Sequence, residues 1–400
     1  EFLIQLMEGV EDIPGTALHE GVDWNWETFP EFLDAIEKKD FVMDLGFMIG
    51  HGPLRSYVMG YERCQSQVDA SKEEISKMSD IVTEAIESGA LGFSTSRTIL
   101  HRDVHGVYVP GTEASSEEMK SLAFAIDKAG EGTLEIVSDW LDKEIEMSWM
   151  REYVEKSDCG LTVLQTSGDA VKTILFCEEQ FLKGKNVRPQ FPGRNVGMMF
   201  GLESSLHPFI GHPSYREIAD LPLSERVQIM KDPAFKEKLL NEKPNFASEI
   251  EKSMNDKGST NSQKEIKEAA NLGLKLISNY DTQFILGDPP NYEPGKEDSI
   301  AALAESKGIP ELEVIYDEFL KNEGTNLVYA CFTPYENHKL DFVERAYGLK
   351  STVAGGSDGG AHCGLICDAS MPTTNLSHWA RDREAGKKFP LEKLVRKQTK

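Results

Sequence analysis

The stretch GGSDGGAH, residues 355–362, sets a carboxylate, Asp358, and an imidazole, His362, among glycines. Acid and histidine side chains are the groups that move protons in general acid–base catalysis. Just upstream, STVA (351–354) is β-branched and apolar, as a buried strand tends to be. The segment therefore predicts a strand that runs into an abrupt glycine loop, with Asp358 at the strand's carboxyl end. That is where α/β proteins gather ligands and catalytic groups. A tight turn in which Asp358 only caps a following helix would use the same residues.

Other polar side chains fall at the ends of predicted strands: His51 and Arg55; Ser94, Ser96 and Arg97; Ser138 and Asp139; Gln165; then Arg188, Gln190 and Arg194. Basic groups recur among them although the chain is acidic. Arginine pairs with a carboxylate through two parallel hydrogen bonds, so this pattern suits a small-molecule substrate bearing a carboxylate. Each arginine can equally neutralise a local acid. On this pattern the expected substrate contacts are His51, Arg97, Ser138, Gln165, Arg194 and His362. For His51 and His362 taken singly, a structural hydrogen-bonding role is the plainer alternative. His19, His101, His105 and His338 lie in polar stretches and are expected to be exposed. The chain has no H-x-H, no H-E-x-x-H and no G-x-S-x-G, and it lacks the glycine fingerprints of nucleotide sites. Cys363 and Cys367 form a C-x3-C without a second pair, which does not make a structural zinc site, so reduced thiols are expected.

The elements that must position these groups alternate along the chain. Helices are predicted at EFLIQLMEGV, FPEFLDAIEKKD, ASKEEISKMSDIVTEAIESG, SSEEMKSLAFAIDKAG, EIEMSWMREYVEKSD and VKTILFCEEQFLKG. In the third of these, Ser71 precedes Glu74 by three residues, the signature of a capping box. Strands are predicted at VMDLGFMIGHG (42–52), ALGFSTS, TLEIVSDW, LTVLQTS, NVRPQF, NLVYACFTPY and STVAGGSDGG. Repeated helix-to-strand returns predict an α/β fold, and a (β/α)8 barrel suits them better than an open sheet. Residues 207–295 break the rhythm with Pro, Lys, Glu, Asn and Ser. The expected division is therefore 1–206 as the first part of the barrel, 207–295 as an insertion or lid, and 296–400 as the rest, including the last strand.

The bulk numbers exclude partners rather than name one. Among 400 residues, 67 acids against 43 bases give a formal net charge of −24. Such a field repels nucleic acid and anionic membranes, so neither is expected as a partner. There is no apolar run of membrane-spanning length and no basic-then-apolar leader, and a cytoplasmic location is expected. The chain opens at Glu1 inside one helical pattern and stops at Lys400 just after another, so both ends read as cut from a longer gene product.

Four stretches, LMEGVEDIPGTALHEGVDWNWETFPEFLDAI, GHGPLRSYVMG, ESGALGFSTSRTILH and GGSDGGAHCG, together resemble the D-aminoacylase (N-acyl-D-amino-acid deacylase) branch of the amidohydrolase superfamily. The resemblance runs from about residue 4 to the end and is loosest across the insertion. It implies a TIM-type (β/α)8 barrel, incomplete here at its N-terminus. It also implies hydrolysis of a non-peptide C–N bond, that of an N-acyl amino acid, with a divalent metal, zinc, in the full-length protein. Asp358 matches the family's aspartate after the last barrel strand, which takes a proton from a metal-activated water and passes it to the leaving nitrogen. The same residue is a metal-ligand candidate. The family's H-x-H and bridging cysteine would lie upstream of Glu1. Ser138 or Asp139, and Gln165, stand where ligand histidines are expected, and SRTIL replaces the family's substrate-binding tyrosine. Asp139 can bind a metal through oxygen, whereas Gln165 is a poor zinc ligand. This chain is accordingly expected to hold zinc poorly and, as a fragment, to be inactive. The alternatives are a divergent member acting on another C–N or ester bond, and a barrel that has lost catalysis and binds a ligand or partner.

Overall fold

A computed structural model of the chain describes residues 2–140, 142–165, 171–246, 271, 273–362 and 364–399. Cys363 and the centre of the expected insertion, 247–270, lie outside them. The chain is a mixed α/β protein of two units. The first comprises Glu1–Gln165, Asp169–Phe191 and Gly348–Val353; the second comprises Thr166–Gly168, Pro192–Tyr347 and Ala354–Lys400.

The sheet of the first unit is parallel, with β1 (Ile49–Gly50), β2 (Gly92–Arg97), β3 (Thr133–Ser138) and β4 (Gly160–Val163) side by side in chain order. Parallel bridges from Leu161 to Val187 and from Leu164 to Gln190 continue it toward β5 (Gln190–Pro192). Helices Lys72–Glu87, Ser116–Ala129 and Lys143–Lys156 return the chain between successive strands. The order never reverses as it does in a doubly wound sheet. Gly92 permits the tight β2–β3 approach: its φ is +154° and a Cβ there would lie 1.8 Å from the Thr133 carbonyl oxygen.

Helix Lys72–Glu87 forms as its sequence directs. The Ser71 hydroxyl accepts from the Glu74 N–H at 3.2 Å, and the Glu74 carboxylate accepts from the Ser71 N–H at 2.8 Å. Met78, Val82, Ala85 and Ile86 then enter the core with Phe93, Met119 and Leu122. Ser71→Ala is expected to cost about 1 kcal/mol in the urea unfolding free energy, the usual value of an N-cap.

Segment 42–52 departs from expectation. Only Ile49–Gly50 is strand, while Phe41, Val42, Met43 and Leu45 are exposed. The apolar run suggests a strand covered on both sides, yet β1 pairs with β2 alone, through two residues.

In the second unit β6 (Val196–Phe200), β7 (Gln283–Ile285) and β8 (Val328–Thr333) form an antiparallel sheet in the order β6-β8-β7. The strand expected at NLVYACFTPY is therefore present as β8, but its neighbours run against it, whereas barrel strands are parallel. Phe200 and Val328 share a core with Phe209, Tyr215, Val227, Met230, Leu239, Tyr316 and Phe319. Five of these apolar side chains come from 207–246, where helices Leu223–Met230 and Pro233–Asn241 lie. Among the described residues no helix is long and apolar enough to cross a membrane.

Two buried ionisable groups tie this unit's stability to pH. His207 packs edge-on against Tyr215 and Phe319, and burial lowers its pKa from 6.5 to about 3. Burial pushes the Glu293 carboxyl up. Hydrogen bonds from His378 (3.1 Å), Arg383 (2.8 and 3.0 Å) and the Leu340 N–H (3.1 Å) outweigh that and bring it from 4.5 down to about 2. Both groups bind protons more readily in the unfolded chain. The stability they provide is complete above about pH 6.5 and is lost as pH falls, first toward 3 through His207 and then from 4.5 toward 2 through Glu293. His207→Asn is expected to remove the acid-side loss in the urea midpoint that His207 contributes between pH 6.5 and 4.5, a loss that the raised pKa of Asp368 partly offsets in the parent, and the drop through Glu293 below 4.5 should remain.

Candidate functional site

His51 begins helix His51–Met59 directly after β1. Its Nε2 lies 2.9 Å from Glu118 Oε1, and its Nδ1 2.9 Å from the Thr95 hydroxyl on β2. One helical turn on, Arg55 Nε donates to the same Glu118 oxygen at 2.9 Å, and Nη2 donates to the Val68 carbonyl at 2.7 Å. All four residues are buried. Burial lowers the His51 pKa against the pull of Glu118. Burial raises that of Glu118, but His51 and Arg55 outweigh it, so the carboxyl ends below its ordinary value. A neutral imidazole facing an ionised carboxylate carries its proton on Nε2, so Nδ1 accepts from the Thr95 O–H. Hydroxyl, imidazole and carboxylate follow in the order of a nucleophile, its base and its orienting acid. Sealed from solvent, this chain of groups acts as a brace joining both strands to helix Ser116–Ala129.

Around the carboxyl ends of β2 and β3, Arg97 and Ser138 are register partners, and the Asp139 N–H donates to the Arg97 carbonyl at 3.2 Å. Arg97 Nε and Nη2 meet Glu146 at 2.8 and 2.7 Å, while Nη1 donates to the Gly111 and Ala114 carbonyls. The two oxygens of Asp139 accept from the Thr98 hydroxyl and the Ile99 N–H, both at 2.7 Å. Ser138 Oγ accepts from the Trp140 N–H. Gln165 is buried, with Nε2 on the Leu164 carbonyl and Oε1 without a hydrogen-bond partner among the described residues. His101 and His338, expected to be exposed, are half-buried against Ser96 and Asp281.

β9 (Val353–Gly355), which passes into the second unit at Ala354, leads into the glycine loop. Asp358 and His362 both adopt left-handed backbone conformations, with φ of +42° and +56°. The Asp358 carbonyl accepts from the Ala361 N–H, and the His362 carbonyl from those of Leu365 and Ile366. The Asp358 side chain is 55% exposed, and His362 Nε2 stands 3.8 Å from its Oδ2, beyond hydrogen-bond reach. The loop then returns onto β6: the Met199 N–H donates to the Leu365 carbonyl at 2.7 Å, and Met198 bridges Ile366. Arg194 is fully buried. Its guanidinium lies 2.9 Å from Asp368 Oδ1, donates to the Cys367 and Asn195 carbonyls and to Ser370 Oγ, and stacks 4.1 Å from the centre of the Tyr292 ring. Burial raises the Asp368 pKa to about 6 against the attraction of Arg194, and the Asp358 charge adds to the rise.

The first unit thus gathers Arg97, Ser138 and Asp139 at adjoining strand ends. The second gathers Asp358 and His362 on one loop, with Arg194 beneath its returning end. Glu118, Glu146 and Asp368 were missing from the sequence-derived set. Glu118 carries the signal of a capping acid, three residues after Ser115, and only the fold turns it toward His51. Among the described residues no group of three or more His, Cys, Asp or Glu side chains is placed to hold a metal ion. Both Asp139 oxygens are engaged by Thr98 and Ile99, and Asp358 with His362 makes a pair rather than a set of three ligands, so the described residues do not complete a zinc centre.

Over 106 residues the chain is 34% identical to a D-aminoacylase of Alcaligenes xylosoxydans xylosoxydans, a match covering 26% of this chain and 19% of that protein. Uncharacterized proteins of Mycobacterium bovis and Mycobacterium tuberculosis are 33% identical over 70 residues, 17% of this chain and 12% of theirs. The matched stretches thus span less than a fifth of the length of these curated relatives. The first match is a distant link to D-aminoacylase. No family model matches the chain. No solved structure matches it.

Proposed function

We propose that the chain is part of a hydrolase of the amidohydrolase type that cleaves the amide of an N-acyl amino acid, with Asp358 carrying the proton from the attacking water to the leaving nitrogen. The observation behind this proposal is the 34% identity to a D-aminoacylase. The conformation of Asp358 supports the role. A non-glycine residue in the left-handed region stores about 1–3 kcal/mol, and such residues cluster at functional sites. Its half-exposed carboxylate is open to water and substrate. The wider architecture we propose is a TIM-type (β/α)8 barrel, supported by the unreversed parallel order of β1 to β4.

A carboxylate-bearing substrate remains the expected ligand. His362, beside Asp358 in the second unit, and Arg97 and Ser138 in the first are each proposed as contacts on their own unit; the buried His51, Gln165 and Arg194 offer it no surface. At Arg97 that substrate would compete with Glu146 for the same guanidinium. The divalent metal that the resemblance implies has no ligand set among the described residues. The state of Asp139 and Gln165, at the places of the implied ligand histidines, favours a second proposal: a related barrel that binds such a ligand without turning it over.

The test is amine release from a panel of N-acyl-D- and N-acyl-L-amino acids, alongside calorimetric binding of the same compounds. Turnover supports the hydrolase, and binding without turnover supports the second proposal. Neither event at millimolar substrate would remove both.

A further inference from the structure

The loop after β9 holds two residues at positive φ, Asp358 and His362, neither of them glycine. Conformations of this kind persist only where the surroundings over-determine them. Upstream, Gly356 (φ +77°) has nothing nearer than 3.9 Å to an added Cβ, so little packing holds the loop there. The constraint comes from the returning end. Residues 364–366 are stitched to β6 and its exit through the Met199 N–H, the Met198–Ile366 bridge and the Ser205 N–H on the Gly364 carbonyl. Immediately beyond, Arg194 grips three consecutive features of the chain: the Cys367 carbonyl at 2.9 Å, the Asp368 carboxylate at 2.9 Å and Ser370 Oγ at 3.3 Å.

The Arg194 guanidinium is itself immobilised. Its face lies on the Tyr292 ring, its Nη1 is on the Asn195 carbonyl, and the residue has no exposed surface. Asp368 is also buried, its side chain 3% exposed. A buried arginine bound on so many sides fixes the backbone it touches to within the tolerance of its planar fork.

We infer that Arg194, paired with Asp368, is a positioning residue that holds the Asp358 loop in its proton-carrying conformation. This rests on the role proposed above for Asp358. Asp368 is also close enough to feel the charges of Asp358 and His362, as its raised pKa registers.

Arg194→Met, Arg194→Lys and Asp368→Asn, each alone and each combined with Asp358→Asn, test the inference in the active gene product on an N-acyl amino acid. Arg194→Met should lower kcat by about 10- to 100-fold with KM held within about twofold, the scale of a misplaced catalytic group. Arg194→Lys should recover part of the loss. Neither change should lower the rate further once Asp358 is already Asn. Amide hydrogen exchange at Ala361, Leu365 and Ile366 should quicken in Arg194→Met while β3 and β4 stay protected.

Losses that multiply with that of Asp358→Asn, a change confined to KM, or unaltered exchange at these amides would each overturn the inference. If Arg194→Met fails to fold, the near-isosteric Asp368→Asn carries the same measurements. Full activity of Asp358→Asn alone would instead remove the proton-carrying role, and the exchange data would still judge whether Arg194 holds the loop.

Discussion

Asp358→Asn is expected to lower kcat on an N-acyl amino acid by about 10²- to 10⁴-fold, the usual contribution of a general base, with KM little changed. Asparagine matches the carboxylate in size and tolerates the left-handed region nearly as well. The backbone at φ +42° therefore has no reason to move, and the half-exposed side chain has little packing to lose. What disappears is the ability to accept a proton. Steady-state kinetics of the parent and the variant, with the urea midpoint as a control for folding, make the measurement. An Asn variant as fast as the parent would return Asp358 to the status of a loop residue, and GGSDGGAH to a structural turn.

The second large effect concerns stability. Arg55→Met is expected to destabilise the first unit by about 3–5 kcal/mol, because it leaves Glu118 buried and charged without its guanidinium. It also strips the Val68 carbonyl of the Nη2 donor at 2.7 Å. The remaining partner, His51, is held neutral by burial and replaces the hydrogen bond but not the charge. The double variant Arg55→Met, Glu118→Gln removes both charges and should regain much of the loss. Urea unfolding of the four-member cycle reads the coupling directly. A double variant no better than Arg55→Met would mean that lost packing, not the stranded carboxylate, sets the cost.

What could be read beforehand was local. The helix from Lys72 announced itself through Ser71, Glu74 and apolar residues on one face, and each acts within a few residues of its neighbour. β2, β3 and β4 fell where β-branched residues met a glycine or polar stop. What could not be read depends on partners far along the chain. VMDLGFMIGHG has the composition of a covered strand, but its neighbours, not its composition, set its exposure, and among the described residues its ladder with β2 runs through Ile49 and Gly50, with the Phe47 carbonyl accepting from the Leu91 N–H. β6, in NVGMMFG, is short, with Gly197 inside it and Gly201 after it, and β8 gives no sign in its own residues that it lies antiparallel.

The site divides in the same way. Asp358 and His362 stood out through the glycines around them. Glu118 and Glu146 sit in first helical turns, where an acid ordinarily complements the helix dipole. Nothing nearby tells that they reach His51 and Arg97, 67 and 49 residues away. In sequence Asp368 is one more acid ahead of a helix, and only the fold sets Arg194, 174 residues earlier, beside it.

The first unit is interrupted in sequence: its last piece, Gly348–Val353, follows the long Pro192–Tyr347 segment of the second. That piece is well integrated. The Glu178 carboxylate accepts from the Lys350 and Ser351 N–H groups and from the Ser351 hydroxyl, Val353 N–H reaches the Pro189 carbonyl, and Ser351 and Thr352 are buried. On a ribosome, which delivers the chain from its N-terminus, the Glu178 carboxylate must therefore wait, solvated, while the intervening residues are synthesised. Closing so long a loop from the unfolded chain carries an entropic cost that grows only logarithmically with length, and structure formed within the intervening Pro192–Tyr347 segment would shorten the effective loop. Completion of the earlier-made unit is then the later event, and a nascent chain halted before residue 348 would hold β1 to β4 without the segment that seals Glu178.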